Sequence, residues 1–130
     1  MPLTNGELFF RLLRNIKTIY KKELTNESFI YLYEVGEYWI AFEKSAYLLS
    51  LQLKEQKSEV SAIKMDFLPF PVLFSSVDDI TKQKLRSKNV CISRNHCSYI
   101  KVETTSSGNV EEYNRWYRSN MKRNFIDTRC

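Results

Sequence analysis

The residues whose side chains could act as nucleophiles or metal ligands are few and far apart. The chain has one histidine, His96, and three cysteines, Cys91, Cys97 and Cys130. No CxxC pair and no Cys/His spacing typical of a tetrahedral zinc site occurs. His96 and Cys97 are adjacent, so on a strand their side chains would point to opposite faces. We therefore expect neither a metal site nor a Cys–His nucleophile.

Carboxylates offer a second kind of chemistry, acid–base or metal-assisted hydrolysis. The acidic pairs at 78–79 and 111–112 fall where predicted helices begin, and acidic groups stabilise the helix dipole there. A divalent-metal nuclease would need another set, for which Glu37, Glu43 and Asp66 are the candidates. Glycine-rich phosphate loops and the GxSxG and HExxH motifs are absent from the sequence. We expect no enzymatic activity and no cofactor, and the nuclease is kept as an alternative.

Charge is distributed unevenly along the 130 residues, whose formal net charge is +5. Residues 1–25 include five basic and two acidic residues, and residues 26–80 include four basic and nine acidic residues. Residues 81–130 include eleven basic and four acidic residues. Between positions 82 and 101 there is no acidic residue, and the basic residues are Lys82, Lys84, Arg86, Lys88, Arg94 and Lys101. This asymmetry predicts a polyanionic partner; the alternative is a solvated helix face that only maintains solubility.

Length and composition predict one folded domain over residues 1–130. Hydrophobic residues make up 43% and aromatic residues 14% of the chain, which is enough to fill a core and excludes wholesale disorder. No apolar run approaches the roughly 20 residues that a membrane span needs, and no secretory leader is visible. The odd cysteine count favours a reducing compartment. We expect a soluble cytoplasmic protein with no membrane contact.

The spacing of apolar residues predicts alternating helices and strands. The predicted elements are a helix over about 4–22, strands 29–33 and 38–42, a helix over 43–54, a strand over 60–67, a helix over 76–89, strands 90–92 and 99–102, and a helix over 109–126. Capping boxes at Thr4–Glu7 and Ser76–Asp79 would begin two of the helices, and Gly36 suits a hairpin turn. This order predicts a mixed α/β fold, with a small central mixed β-sheet flanked by helices. Residues 1–103 would form the core, 104–108 a loop, and 109–126 a basic C-terminal helix.

The predicted hairpin resembles the first, mismatch-recognition domain of MutS-type mismatch-repair proteins. The stretch FIYLYEVGEYWIAFEKSA over 29–46 is similar to the family's apolar strand, its Gly-Asp-Phe-Tyr-Glu turn and the helix start that follows. The stretch PVLFSSVD over 71–78 resembles the family's Gly-Val-Pro-Tyr-His-Ala-Val-Glu segment. The likeness covers roughly residues 7–93, and the C-terminal third has no counterpart. The chain is therefore expected to be a stand-alone protein that is similar to MutS domain I.

This resemblance implies a nucleic-acid-binding hairpin. In the family the hairpin lies in the minor groove of a mispaired duplex, where an aromatic ring stacks on the mismatched base and a glutamate hydrogen-bonds it. By position, the stacking residue corresponds to Tyr38 and the glutamate to Ile40, which cannot form a hydrogen bond through its side chain. The resemblance thus implies stacking by Tyr38 and puts the family's mismatch discrimination in doubt.

The leading prediction is a non-enzymatic nucleic-acid-binding accessory domain. The expected binding residues are Tyr38, Trp39, Lys82, Lys84, Arg86, Lys88 and Arg94. The expected partner is DNA or an RNA–DNA hybrid, in a DNA-repair system or beside a reverse transcriptase, since small MutS-like proteins accompany reverse transcriptases in some bacterial retroelements. The alternative is a protein–protein interaction adaptor without nucleic-acid affinity, which would use the apolar hairpin face and the terminal helix. In that helix, Trp116 and Tyr117 either face a partner or dock the helix on the core.

Overall fold

A computed structural model describes residues 4–53, 60–64, 71–78, 81, 90–94, 97–104, 109–123 and 125–127. The helices are α1 (Asn5–Leu13), α2 (Ile16–Leu24), α3 (Glu43–Gln52) and α4 (Val110–Arg123). The strands are β1 (Phe29–Val35), β2 (Tyr38–Phe42), β3 (Val60–Lys64), β4 (Val72–Asp78), β5 (Val90–Arg94), β6 (Cys97–Glu103) and β7 (Phe125–Asp127). The predicted mixed α/β fold is confirmed.

The strands within these residues form one sheet with the order β5-β6-β1-β2-β4-β3-β7. Neighbouring strands are antiparallel except β3 and β7, which pair in parallel, so the sheet is mixed. The hairpin strands β1 and β2 lie in the middle of this order. Both are therefore hydrogen-bonded on each side, to β6 and to β4 respectively.

The sheet is covered on both faces by helices. Alternate residues of β1 point to opposite faces, so Tyr33 and Val35 pack against α1 and α2, whereas Ile30 and Leu32 pack against α3. The terminal helix α4 adds Trp116 to the α3 side. The sequences of β1 and β2 are almost continuously apolar, which is expected for strands that are buried on both faces.

The predicted first helix is two helices in the structure. Thr4 does begin α1, because its side-chain oxygen accepts a hydrogen bond of 3.1 Å from the Glu7 amide. The helix then tightens, with the Arg14 amide bonded to the Arg11 carbonyl and the Asn15 amide bonded to the Leu12 carbonyl. These i−3 bonds end α1, and α2 restarts at Ile16.

The first three residues of the predicted helix at 76–89 belong to a strand instead. Ser76 is not a helix cap, because it lies in β4 and pairs with Ile40 of β2. The first part of β4, up to Ser75, pairs with both β2 and β3, and its last three residues continue the pairing with β2. This extension of the strand outweighs the local capping signal. The carboxylate of Asp78 accepts a 2.7 Å hydrogen bond from the Thr81 amide instead. Residues 82–89 lie outside the described residues.

The C-terminal helix is shorter than predicted. It ends at Arg123, and Phe125–Asp127 leaves the helix to pair in parallel with β3. The prediction of one helix over 109–126 was therefore wrong in its last turn. Strand β7 has only three residues, too few to give a strand signal in the sequence. It is extended because it pairs with the edge of β3.

Candidate functional site

The β1–β2 turn is fixed against the start of α1. Gly36 has φ +60°, a conformation that side chains other than glycine rarely adopt. A Cβ at this position would collide with the side chain of Asn5. The turn therefore meets the Asn5 side chain, and it presents the first residue of β2 at the edge of the α1 layer.

Tyr38 and Trp39 have opposite environments on this hairpin. Tyr38 is 44% exposed and pairs with Val35 and Asp78. Trp39 is only 7% exposed and packs in the core beneath α3, so its ring is not available to stack on a base. Trp39 is therefore removed from the predicted binding residues. Ile40, which the predicted resemblance aligns with a glutamate, is buried on the α1 side.

The surroundings of Tyr38 are acidic. Glu37 precedes it in the turn, and Asp78 lies directly opposite on β4, with both side chains exposed. Glu34 on β1 is also exposed, but it pairs with Trp39 and lies on the opposite face of the sheet. Glu37 and Asp78 therefore disfavour a phosphate directly beside the Tyr38 ring.

The predicted phosphate-binding residues are only partly placed. Lys82, Lys84, Arg86 and Lys88 lie outside the described residues. The backbone of Arg94 ends β5 and pairs with Cys97. Since β6 runs antiparallel to β1 with Tyr99 opposite Tyr33, Arg94 lies toward the same end of the sheet as the β1–β2 turn.

The structure shows a second basic surface, on α1 and α2, that the sequence analysis did not predict. We call it the basic helical surface: it consists of the exposed residues Phe10, Arg11, Arg14, Lys17 and Lys21 of α1, α2 and the connection between them. Phe10 is 61% exposed. Lys22 does not belong to it, because its Nζ lies 4.1 Å from the ring centroid of Tyr99 and 4.3 Å from that of Tyr31. The excess of basic residues in 1–25 was the signal that could have identified this surface.

An acidic cavity of about 800 Å³ opens where four chain segments meet. These segments are the end of α2, the start of α3, Pro71 and α4. The residues that line it include Tyr20, Glu23, Glu27, Glu43, Lys44, Tyr113 and Tyr117, with Leu24 and Val110 at the rim. Its volume falls within the range of small-molecule sites, roughly 300–1,000 Å³. The sequence prediction did not find this cavity.

Glu23 is a buried carboxyl held by the start of α3. Its oxygens accept hydrogen bonds from the Ser45 amide at 2.8 Å, the Ser45 hydroxyl at 2.6 Å and the Asn26 side chain at 3.1 Å. Burial raises the pKa of Glu23 to about 7, although these hydrogen bonds oppose the rise. Near neutral pH the group therefore exists in both protonation states.

Glu43 is the second buried carboxyl, and its backbone is unusual. It has φ +50°, the left-handed region that is costly for a residue with a Cβ. Its oxygens accept hydrogen bonds from the Leu73 amide at 3.2 Å and from the Tyr117 hydroxyl at 3.1 Å. Burial raises the pKa of Glu43 to about 8 despite these donors.

Aromatic rings form the walls of the cavity. Tyr113 and Tyr117 lie on successive turns of α4, with ring centroids 5.9 Å apart. Burial and the nearby Glu43 charge raise the pKa of both phenols, so both remain protonated at neutral pH. The Lys44 ammonium lies 4.7 Å from the Tyr113 ring centroid, and burial lowers its pKa while Glu23 and Glu27 oppose that shift.

The terminal helix is docked on the core through its aromatic residues. The Trp116 ring packs 5.4 Å from that of Tyr47, and Tyr117 bonds Glu43, while Arg115 and Arg118 are exposed. Trp116 and Tyr117 therefore dock the helix on the core and do not face a partner.

The nuclease alternative gains no support from the placement of its carboxylates. Glu43 is buried in the cavity, Glu37 lies in the exposed hairpin turn, and Asp66 falls outside the described residues. No group of three or more His, Cys, Asp or Glu side chains suited to a metal occurs in the part of the chain that the structure describes. Within the same residues, no helix has the length and apolarity to cross a membrane.

Comparison of the chain with protein-family models, with curated proteins and with solved structures gave no match.

Proposed function

We propose that this chain is a non-enzymatic nucleic-acid-binding accessory domain of the MutS domain I type. Its ligand would be DNA or an RNA–DNA hybrid, in a DNA-repair system or alongside a reverse transcriptase. The observation that carries the proposal is the basic helical surface, which exposes four cationic side chains beside an exposed aromatic ring. In this arrangement Arg and Lys contact phosphates and set the position of the strand, while aromatic rings contact bases.

The charge balance of the N-terminal layer supports phosphate binding. Among residues 4–25, Glu7 is the exposed acidic residue and Glu23 is buried, whereas Arg11, Arg14, Lys17 and Lys21 are exposed. Each phosphate neutralised on duplex DNA contributes a slope of about −0.9 to the dependence of log affinity on log salt. Binding through this surface would therefore weaken steeply as salt increases.

The position of Tyr38 supports a separate contact with a base. Its ring is exposed at the edge of the α1 layer, and the carboxylates of Glu37 and Asp78 disfavour a phosphate there. A base has no net charge and can stack on the ring, which contributes about 1–3 kcal/mol. Because Ile40 replaces the family's glutamate, we expect stacking on an accessible base with little discrimination between mismatches.

The exposed Phe10 favours a second candidate, a protein–protein interaction adaptor. An apolar ring that is 61% exposed in the middle of a helix is a common anchor in protein interfaces. In that case the surrounding cations would serve solubility, and nucleic acid would not bind at physiological salt.

Fluorescence anisotropy with labelled oligonucleotides tests the proposal. Single-stranded DNA, matched and mismatched duplexes and an RNA–DNA hybrid would be titrated at about 50 mM and about 150 mM salt. We expect micromolar or tighter binding at the lower salt, and the order of affinities identifies the ligand. Absence of binding to every ligand at the lower salt would overturn the proposal and favour the adaptor.

A matched pair of variants locates the binding surface. Arg11→Gln with Arg14→Gln removes two charges from the basic helical surface and is expected to weaken binding by about tenfold or more. Arg115→Gln with Arg118→Gln removes the same charge from exposed positions of α4, on the other side of the sheet. Equal losses in the two variants would mean that net charge, and not this surface, determines the affinity.

A further inference from the structure

The acidic cavity has no role in the nucleic-acid binding proposed above. Three carboxyl groups and one ammonium line it: Glu23, Glu27, Glu43 and Lys44. When all four groups are ionised, the cavity is negative, so it repels phosphates and attracts cations. A ligand of this cavity would therefore be positively charged, unlike the nucleic acid proposed for the basic helical surface.

The two buried carboxyls are bonded by neutral groups. Within the described residues, Glu23 accepts hydrogen bonds from the amide and the hydroxyl of Ser45 and from the Asn26 side chain. Glu43 accepts hydrogen bonds from the Leu73 amide and the Tyr117 hydroxyl. An ionised carboxylate accepts about four hydrogen bonds, so Glu43 with two donors retains acceptor capacity. Burying a carboxylate is unfavourable unless a positive charge compensates it. A cation that enters the cavity would supply this compensation.

The walls and rim suit a cation that carries carbon. The rings of Tyr20, Tyr113 and Tyr117 line the interior, and aromatic faces attract ammonium and guanidinium groups. The chain already places one alkylammonium in this way, since Lys44 Nζ lies over the Tyr113 ring. At the mouth, Leu24 is 67% exposed and Val110 is 71% exposed, which is apolar surface that an alkyl chain could cover.

We propose that this cavity binds a small organic cation, an alkylammonium or alkylguanidinium compound. Its charged group contacts the Glu43 carboxylate beside the rings of Tyr113 and Tyr117, and its alkyl portion lies against Leu24 and Val110. The cavity volume of about 800 Å³ accommodates an organic molecule and is far larger than a metal ion needs.

Proton release accompanies binding at this site. In the empty cavity, burial raises the pKa of Glu43 to about 8, so this carboxyl is mostly protonated at neutral pH. The cation stabilises the ionised form and expels the proton. Affinity is therefore expected to increase between about pH 6.5 and pH 8.5, and proton uptake by the buffer should be detectable by calorimetry.

Isothermal titration calorimetry with agmatine, which has both a guanidinium and an ammonium group, tests the proposal. The neutral probe is 1,4-butanediol, which has the same carbon chain without charge. We expect binding of agmatine, tighter at the higher pH, and no detectable binding of the diol. Absence of agmatine binding at both pH values, or equal binding of the diol, overturns the proposal.

Variants place the ligand in the cavity. Glu43→Gln keeps the shape of the side chain and should weaken agmatine binding by about tenfold or more, whereas Glu37→Gln removes the same charge at the exposed turn and should not. Because Glu43 is buried, rim variants give an independent test. Val110→Arg should weaken and Val110→Glu strengthen binding, by about two- to fivefold in opposite directions. Equal affinity in the two rim variants would contradict the assigned location.

Discussion

At the scale of single residues, Glu43 combines two costly features. Its backbone adopts φ +50° and its carboxyl is buried, and both are stabilised by contacts distant in sequence, to Leu73 and Tyr117. The sequence suggested only a helix start or a metal ligand for this residue. Neither the strain nor the burial could have been predicted, because the partners lie 30 and 74 positions further along the chain.

The raised pKa values of Glu23 and Glu43 predict how stability depends on pH. Both carboxyls bind a proton more tightly in the folded state, at about 7 and about 8, than at the ordinary value of 4.5. The folded state therefore holds more protons between these limits, and the free energy of unfolding should fall as pH rises from about 5 to 8. Urea unfolding at several pH values measures this slope. Glu43→Gln should flatten it, and a stability that rises over this interval would contradict the assignment.

Neighbouring residues Tyr38 and Trp39 should respond oppositely to truncation. Trp39→Ala empties a buried site and is expected to lower the free energy of unfolding by about 3–5 kcal/mol. Tyr38→Ala should leave the fold largely intact but weaken nucleic-acid binding by about 1–3 kcal/mol, whereas Tyr38→Phe retains stacking. Urea unfolding and anisotropy, respectively, give the two values. Loss of binding in Tyr38→Phe would mean that the hydroxyl, and not the ring, makes the contact.

At the scale of elements, local sequence predicted the hairpin and α3 well because their signals agree with their environment. Strands β1 and β2 are apolar and β-branched or aromatic, Gly36 occupies the turn, and helical spacing resumes at Glu43. It failed for β4, where a helix-capping pattern at Ser76 is overridden by pairing with β2. It also failed for β7, which depends on the edge of β3. A short stretch of sequence does not show which distant strand it will pair with, so neither strand could be predicted from its own residues.

The left-handed turn residue predicts a measurable cost of substitution. Gly36→Ala should lower the free energy of unfolding by about 1–2 kcal/mol, the cost of the left-handed conformation for a residue with a Cβ. The new methyl also meets the Asn5 side chain, but that side chain is exposed and can rotate away, so Asn5→Ala should recover little of the loss. A double-mutant cycle by urea unfolding measures the interaction energy between the two positions. An interaction energy above about 1 kcal/mol would mean that the turn and α1 are rigidly packed together.

At the scale of the whole molecule, charge is divided between two surfaces. The basic helical surface lies on the outer side of the two helices that cover one face of the sheet, whereas the acidic cavity lies between the end of α2, the start of α3, Pro71 and α4. The uneven charge of the sequence predicted a polyanionic partner, and the predicted contacts were placed mainly at positions 82–88. The excess of basic over acidic residues in 1–25 indicated α1 and α2 as a further basic region. The cavity could not be predicted, because its lining comes from four separate segments that only the fold brings together.

The salt dependence of nucleic-acid affinity tests the central claim most directly. Wild-type protein and a variant with Arg11, Arg14, Lys17 and Lys21 changed to Gln would be compared by anisotropy, from about 50 to 200 mM salt. We predict a steep negative slope of log affinity against log salt for the wild type. The variant should bind more weakly, with a slope shallower by about two to four. An unchanged slope, or wild-type binding that does not depend on salt, would contradict the proposed interface.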